Sequence, residues 1–103
     1  MAYTEYRNNS EHAKHLRKQA GKYLKTLRES RDLTQNDLAK LLGLDYYTFI
    51  SQVENGFARV PPENIAKWAQ ALRVDVAEFA MNLLKFYDPF MHAALNTKKK
   101  GHT

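Results

Sequence analysis

The chain contains no cysteine, which excludes disulfide bridges, thiolate zinc sites and a cysteine nucleophile. No stretch approaches the roughly 18 consecutive apolar residues that a membrane span requires, and Met1 to Ser10 lacks the apolar core of a secretory signal. A cytoplasmic protein without a membrane partner is expected. No alternating run announces a strand, and no segment repeats. The materials for catalysis are also missing: His12, His15, His92 and His102 stand in no spacing with a carboxylate and a second ligand, and Ser51 has no evident base. Neither a metal nor a cofactor is expected, and an enzyme is disfavoured. At 103 residues the chain withdraws only about two-thirds of its unfolded surface from water. That supports one modest core, with no room for a separate catalytic or ligand-binding domain.

What is present is helical periodicity. The stretch Leu33 to Gly56, LTQNDLAKLLGLDYYTFISQVENG, reads as two short amphipathic helices joined by a tight turn. Thr34 can cap a first turn, and Asp37 three residues later completes a capping-box spacing with its charge at the positive helix end. A helix is therefore predicted from about Gln35, with Leu38, Ala39, Leu41 and Leu42 as its apolar stripe and Gly43 as a left-handed stop. Leu44 then returns to the core, and Asp45 is placed to cap a second helix of about ten residues with Ile50 and Val53 inward. Tyr47, Thr48, Ser51 and Gln52 fall on its outer face. Asn55-Gly56 suits a left-handed exit, and Pro61-Pro62 prevents the helix from resuming.

The flanks supply scaffold. Ala13, Leu16, Ala20, Tyr23, Leu24 and Leu27 predict a helix from about Glu11 to about Arg31, with Gly21 a point of close packing. Ile65, Trp68, Ala69 and Leu72 form another stripe behind Pro62. Asp75 and Glu78 repeat the capping-box spacing and open a helix carrying Val76, Phe79, Ala80, Leu83, Leu84 and Tyr87, which Asp88-Pro89 stops. The expected fold is all-α: five helices and an apolar C-terminal helical extension. Residues 1–15 read as a basic, partly disordered arm, 16–88 as the domain, and 89–103 as the extension with its lysine tail.

The formal net charge of +5 is unevenly spread. Met1 to Arg31 holds eight Lys or Arg against three acids, whereas Asp32 to Val60 holds two against four. The central helix pair is thus not itself basic. Neutralising a polyanion falls to Lys14, Arg17, Lys18 and Lys22 ahead of it, Arg59 after it and the Lys98-Lys99-Lys100 tail. Such charges attract nucleic acid without reading sequence, and each also suits a plain solvated face.

Gln35, Leu38, Ala39, Leu42, Gly43, Ile50, Ser51, Glu54 and Gly56 together resemble the signature of the Cro/C1-repressor-like (XRE) helix-turn-helix family, and with the flanking helices the likeness covers roughly Ala20 to Phe79. The resemblance implies a compact lambda-repressor-like domain that binds double-stranded DNA. One departure stands out. Between Gly43 and Ser51 the chain carries one residue more than the commonest family spacing, around Asp45 to Tyr47, which leaves the first side chain of the recognition helix open by one position.

The resemblance places Tyr47, Thr48 and Gln52 at the major groove, with Ser51 beside them. Chemistry favours Gln52 most, because its amide matches the two groups that adenine shows there, while Thr48 offers a hydroxyl and a methyl. Gln35 and Asn36 head the first helix, where the family places a glutamine that touches phosphate and braces the reading helix. Asn55 and Arg59 occupy a loop that resembles a backbone clamp. Glu54 is expected to pair within the domain, Tyr46 to pack in the core, and Phe49 either to meet a thymine methyl or to pack on Tyr46.

The last helix is more apolar than one face toward a small core requires. Leu83, Leu84, Phe86, Tyr87, Phe90, Met91 and Leu95 are the expected contact of a symmetric homodimer, against the plainer alternative that Phe90 to Leu95 folds back on its own domain. The expected function is a dimeric repressor of an inverted-repeat operator, often its own. The rival reading is an antitoxin or phage-type accessory regulator that grips a protein partner through the C-terminal segment. Nonspecific nucleoid binding fits poorly with a polar, uncharged reading face.

Overall fold

In the computed structural model, which describes residues 2–97, the chain folds into helices without a strand among the described residues. Helix α1 (Ala2–Ser30) is the longest and starts well ahead of Glu11, so helix continues through the segment expected as an arm. Helix α2 (Gln35–Leu41) opens on the predicted capping box: Asp37 N–H donates to Thr34 Oγ1 at 3.0 Å, and Thr34 N–H donates to Asp37 Oδ2 at 2.9 Å. Helix α3 is Thr48–Glu54. A 3₁₀ turn at Pro62–Asn64 leads into α4 (Ile65–Leu72). Helix α5 (Val76–Tyr87) is capped by Asp75, which accepts from Glu78 N–H at 3.0 Å, and α6 (Pro89–Thr97) follows directly. The lysine tail lies outside the described residues.

One device ends four successive helices. After α1, α2, α3 and α4 the chain turns through a left-handed residue, Asp32, Gly43, Gly56 and Arg73. In each case the next amide reaches back five residues in the same pattern: Leu33 to Arg28, Leu44 to Ala39, Phe57 to Gln52 and Val74 to Ala69. This is the Schellman arrangement, which satisfies orphan carbonyls and normally tucks the following apolar side chain against the helix it ends. Leu33, Leu44 and Val74 do so, packing on the core. Phe57 is the exception and stands 79% exposed.

The core gathers Leu24 from α1, Leu38, Ala39 and Leu42 from the α2 region, Ile50 and Val53 from α3, Val60, Trp68, Ala69 and Leu72 around α4, and Phe79 and Leu83 from α5. Leu83 is therefore a correction to the expected dimer contact: it is buried within the protomer. Two further expectations fail near α3. Its N-cap is Tyr47 with no side-chain hydrogen bond, so Asp45 does not cap it, and Tyr46 is 77% exposed and lies outside the core. Both follow from the extra residue. Ile50 and Val53 pin α3 from its far end, so the additional length is expelled into the Asp45–Tyr46 loop, and α3 begins at Thr48.

Candidate nucleic-acid interface

The candidate reading helix is held from behind by contacts with little tolerance. Gly21 of α1 meets the last turn of α3 so closely that a Cβ there would fall 2.0 Å from the Glu54 carbonyl oxygen and 2.9 Å from that of Val53. The predicted close-packing point is therefore where α1 and α3 cross. Two turns further along α1, Arg28 reaches Glu54: Nε donates to Oε2 at 2.6 Å and Nη2 to Oε1 at 3.1 Å, with both side chains buried. Arg28 Nη1 also donates to the Leu33 carbonyl at 2.6 Å. Gln35 Nε2 adds a bond of 2.9 Å to Glu54 Oε1, which ties the start of α2 to the end of α3. The hydrogen bond to Glu54 pushes the Arg28 guanidinium above its ordinary pKa, outweighing burial. Among the described residues no buried side-chain polar atom is left without a partner.

Outward, α3 shows neutral polar groups. Thr48 and Gln52 are exposed and Ser51 is half-buried, its hydroxyl accepting from Asn55 Nδ2 at 3.3 Å. Tyr47, half exposed, flanks an open cleft whose other side includes Thr34, Gln35 and Asn36. Phe49 packs edge-on against Trp68, with ring centroids 6.4 Å apart, and not against Tyr46.

The cations sort into two groups. Along α1, Arg17 Nε donates to the Gly56 carbonyl at 3.3 Å, the Lys18 stem crosses the Cα side of Gly56, and Lys22 is exposed one turn on. These residues collect beside the C-terminal end of α3. Arg59 is held differently: its Nη2 donates to Asp88 Oδ2 at 3.1 Å, and its guanidinium sits 4.5 Å above the Tyr87 ring. The Tyr87 hydroxyl in turn accepts from Val60 N–H at 3.2 Å, and burial pushes its pKa up. The loop after α3 is thus moored to the end of α5.

Of the expected dimer set, Leu84, Phe86 and Tyr87 are half-buried, while Phe90, Met91 and Leu95 are exposed. Arg28 went unnoticed in the sequence, although it carried a signal. It lies four residues after Leu24 on the apolar stripe of α1, where a charge requires a buried partner, and Glu54 was already assigned an internal pairing.

Comparison with known proteins agrees with this geometry. A family model described as Helix-turn-helix matches residues 24–79, over half of the chain. No curated protein matches. Among solved structures, the crystal structure of the restriction-modification controller protein C.AhdI from Aeromonas hydrophila is 38% identical, with a TM-score of 0.55 over 63% of this chain and 96% of that one. Both tyrosine-bearing turn and polar helix face fall inside the matched segment. The chain belongs to the Cro/C1-repressor-like helix-turn-helix family and is a DNA-binding transcriptional regulator.

Proposed function

We propose that the protein is a sequence-specific, dimeric repressor that places α3 of each copy in the major groove of an inverted-repeat operator. The observation that carries this reading is the division of α3. Its rear is fixed by Ile50, Val53 and the Arg28–Glu54 pair, and its front offers the unpaired donors and acceptors of Thr48 and Gln52. A rigid rod with a neutral polar front suits base edges, which demand direction more than charge. Tyr47, Thr48, Ser51 and Gln52 read bases. Gln35, Asn36, Asn55 and Arg59 hold the backbone close by, and Arg17, Lys18 and Lys22 supply phosphate neutralisation from α1.

Two copies related by a twofold axis present their α3 helices about 34 Å apart, one turn of the duplex, so the operator has two half-sites in inverted orientation. The dimer forms through the apolar end of the chain, Leu84, Phe86, Tyr87, Phe90, Met91 and Leu95. The likeness to a protein described as a restriction-modification controller supports a role in transcriptional control, including control of the protein's own operon. The test is selection from random duplexes followed by titration. Gln52→Ala should lose about 1–3 kcal/mol on the selected site and little on random DNA, and equal loss on both would remove Gln52 as a reader.

A further inference from the structure

The apolar residue that follows a Schellman turn normally covers the helix residue to whose carbonyl its amide bonds. At the ends of α1, α2 and α4 that residue is Arg28, Ala39 or Ala69, and each is buried. At the end of α3 it is Gln52, which is exposed, preceded by half-buried Ser51. Phe57 therefore has no apolar surface to fold onto, which is the physical reason for its 79% exposure. Its backbone is nonetheless fixed. Phe57 N–H donates to the Gln52 carbonyl at 2.8 Å, the buried Gly56 before it packs against Lys18 and accepts from Arg17, and Ala58 after it packs on the core. A large aromatic side chain is thus held in water at the same end of α3 as the Gln52 amide.

We propose that Phe57 is an apolar base reader that packs against the 5-methyl group of a thymine beside the base pair addressed by Gln52. This rests on the reading of α3 given above and adds to it a residue outside that helix. The major groove presents thymine methyls as apolar features between two phosphate walls, and phenylalanine is among the side chains that cover them. The surroundings of Phe57 match such a target. Arg17 and Lys18 lie against the preceding residue, Lys22 is exposed one turn further along α1, and Asn55 and Arg59 flank the position in sequence. One apolar ring is therefore framed by cations and an amide. The anchors of a protein interface sit in well-packed, desolvated pockets, and these cations would have to be stripped of water to form one. Phosphates on either side of a methyl complement them directly. Gln52 selects a base edge by the direction of its hydrogen bonds, while a methyl contact separates thymine from cytosine at the neighbouring pair without one.

The test titrates the full-length chain on the duplex recovered by selection, with each thymine of the half-site replaced in turn by deoxyuridine, which lacks only the methyl. Burying one methyl corresponds to about fourfold in affinity, so at one position the replacement should weaken binding about fourfold in one half-site and about fifteenfold in both. Phe57→Ala should bind the thymine and deoxyuridine duplexes equally, and Phe57→Leu, still apolar, should keep part of the difference. Helix content by circular dichroism should be unchanged in both variants, because the side chain is exposed. A Phe57→Ala chain that loses the same factor on thymine and deoxyuridine duplexes at every position overturns the contact. One that binds every duplex as the parent does overturns it too, and assigns the ring to a protein surface. Gln52→Ala on the same duplexes separates this proposal from the one it rests on: a loss confined to the selected site leaves α3 as the reader without Phe57, whereas equal loss on random DNA removes both.

Discussion

Gly21→Ala sets two physical effects against each other. Glycine inside a helix costs about 1 kcal/mol relative to alanine, so in an isolated α1 the substitution would stabilise. In the folded protein the new methyl would lie 2.0 Å from the Glu54 carbonyl oxygen and 2.6 Å from its carbon. Those atoms are backbone and cannot swing aside as a side chain can, so α1 and α3 must part by on the order of 1 Å in a close-packed interior. Overpacking typically costs about 1–3 kcal/mol and more when the obstacle is rigid. Separation also stretches the Arg28–Glu54 pair two turns away, so the upper end applies and the net loss is about 2 kcal/mol or more. For a domain of this size that lowers Tm by roughly 8–16 °C in thermal unfolding followed by circular dichroism. Lys22→Ala, exposed on the next residue, is the control and should stay within about 0.5 kcal/mol. A Gly21→Ala protein as stable as the parent, or more so, would show that α1 and α3 do not cross at this residue.

Further outcomes follow from the same contacts. Glu54→Ala leaves Arg28 buried without its carboxylate and should cost about 3–5 kcal/mol by urea unfolding, a larger loss than any single truncation on the exposed face of α3. Asp37 is held below the usual carboxylate pKa by the Thr34 amide and then by its hydroxyl, so its cap is fully present above about pH 4 and fades as pH falls through the lowered folded value. Urea midpoints measured across the acid range should therefore fall less steeply for Asp37→Asn. The Arg59–Asp88 pair is exposed, so Asp88→Asn should cost less than about 1 kcal/mol in stability. By freeing Arg59 and removing a negative charge, that substitution should tighten DNA binding at low salt, and weakened binding would exclude Arg59 from the phosphate contacts.

The legible parts of the fold were those encoded by neighbours in sequence. The Thr34–Asp37 box, the Asp75 cap, the stops at Gly43 and Gly56 and the α4 stripe each depend on residues within one or two turns, and each appears as read. Gly21 was legible as a close approach, although what it approaches was not. The failures share a different cause. Asp32 and Arg73 take left-handed conformations without glycine, which a helix adopts when the next residue has a core to enter, a tertiary reward invisible in the local pattern. Leu83 and Tyr46 exchanged places relative to expectation, one inward and one outward, because the depth of the α5 packing and the slack in the α2–α3 turn are set by partners far along the chain. At the site, the polar face of α3 was readable from spacing, whereas the coupling of Arg28, Gln35 and Glu54 required three segments to be brought together.

On the function proposed above, that coupling explains how so small an element can serve as a reader. Helix α3 has seven residues, far below the length at which a helix holds in water, and its N-cap provides no side-chain hydrogen bond. Its shape must therefore come from its surroundings. Ile50 and Val53 fasten it to the core, Glu54 fastens its last turn to both α1 and α2, and the Gly56 turn is gripped by Arg17 and Lys18. All of these contacts lie at the rear or the C-terminal end. None uses Thr48 or Gln52, so the groups suited to base edges are left free while the backbone beneath them is immobilised. The two cations that grip Gly56 also belong to the set assigned to phosphates, so on this reading the segment that attracts DNA and the segment that reads it are mechanically one unit, and drawing α1 onto a phosphate would press α3 toward the bases.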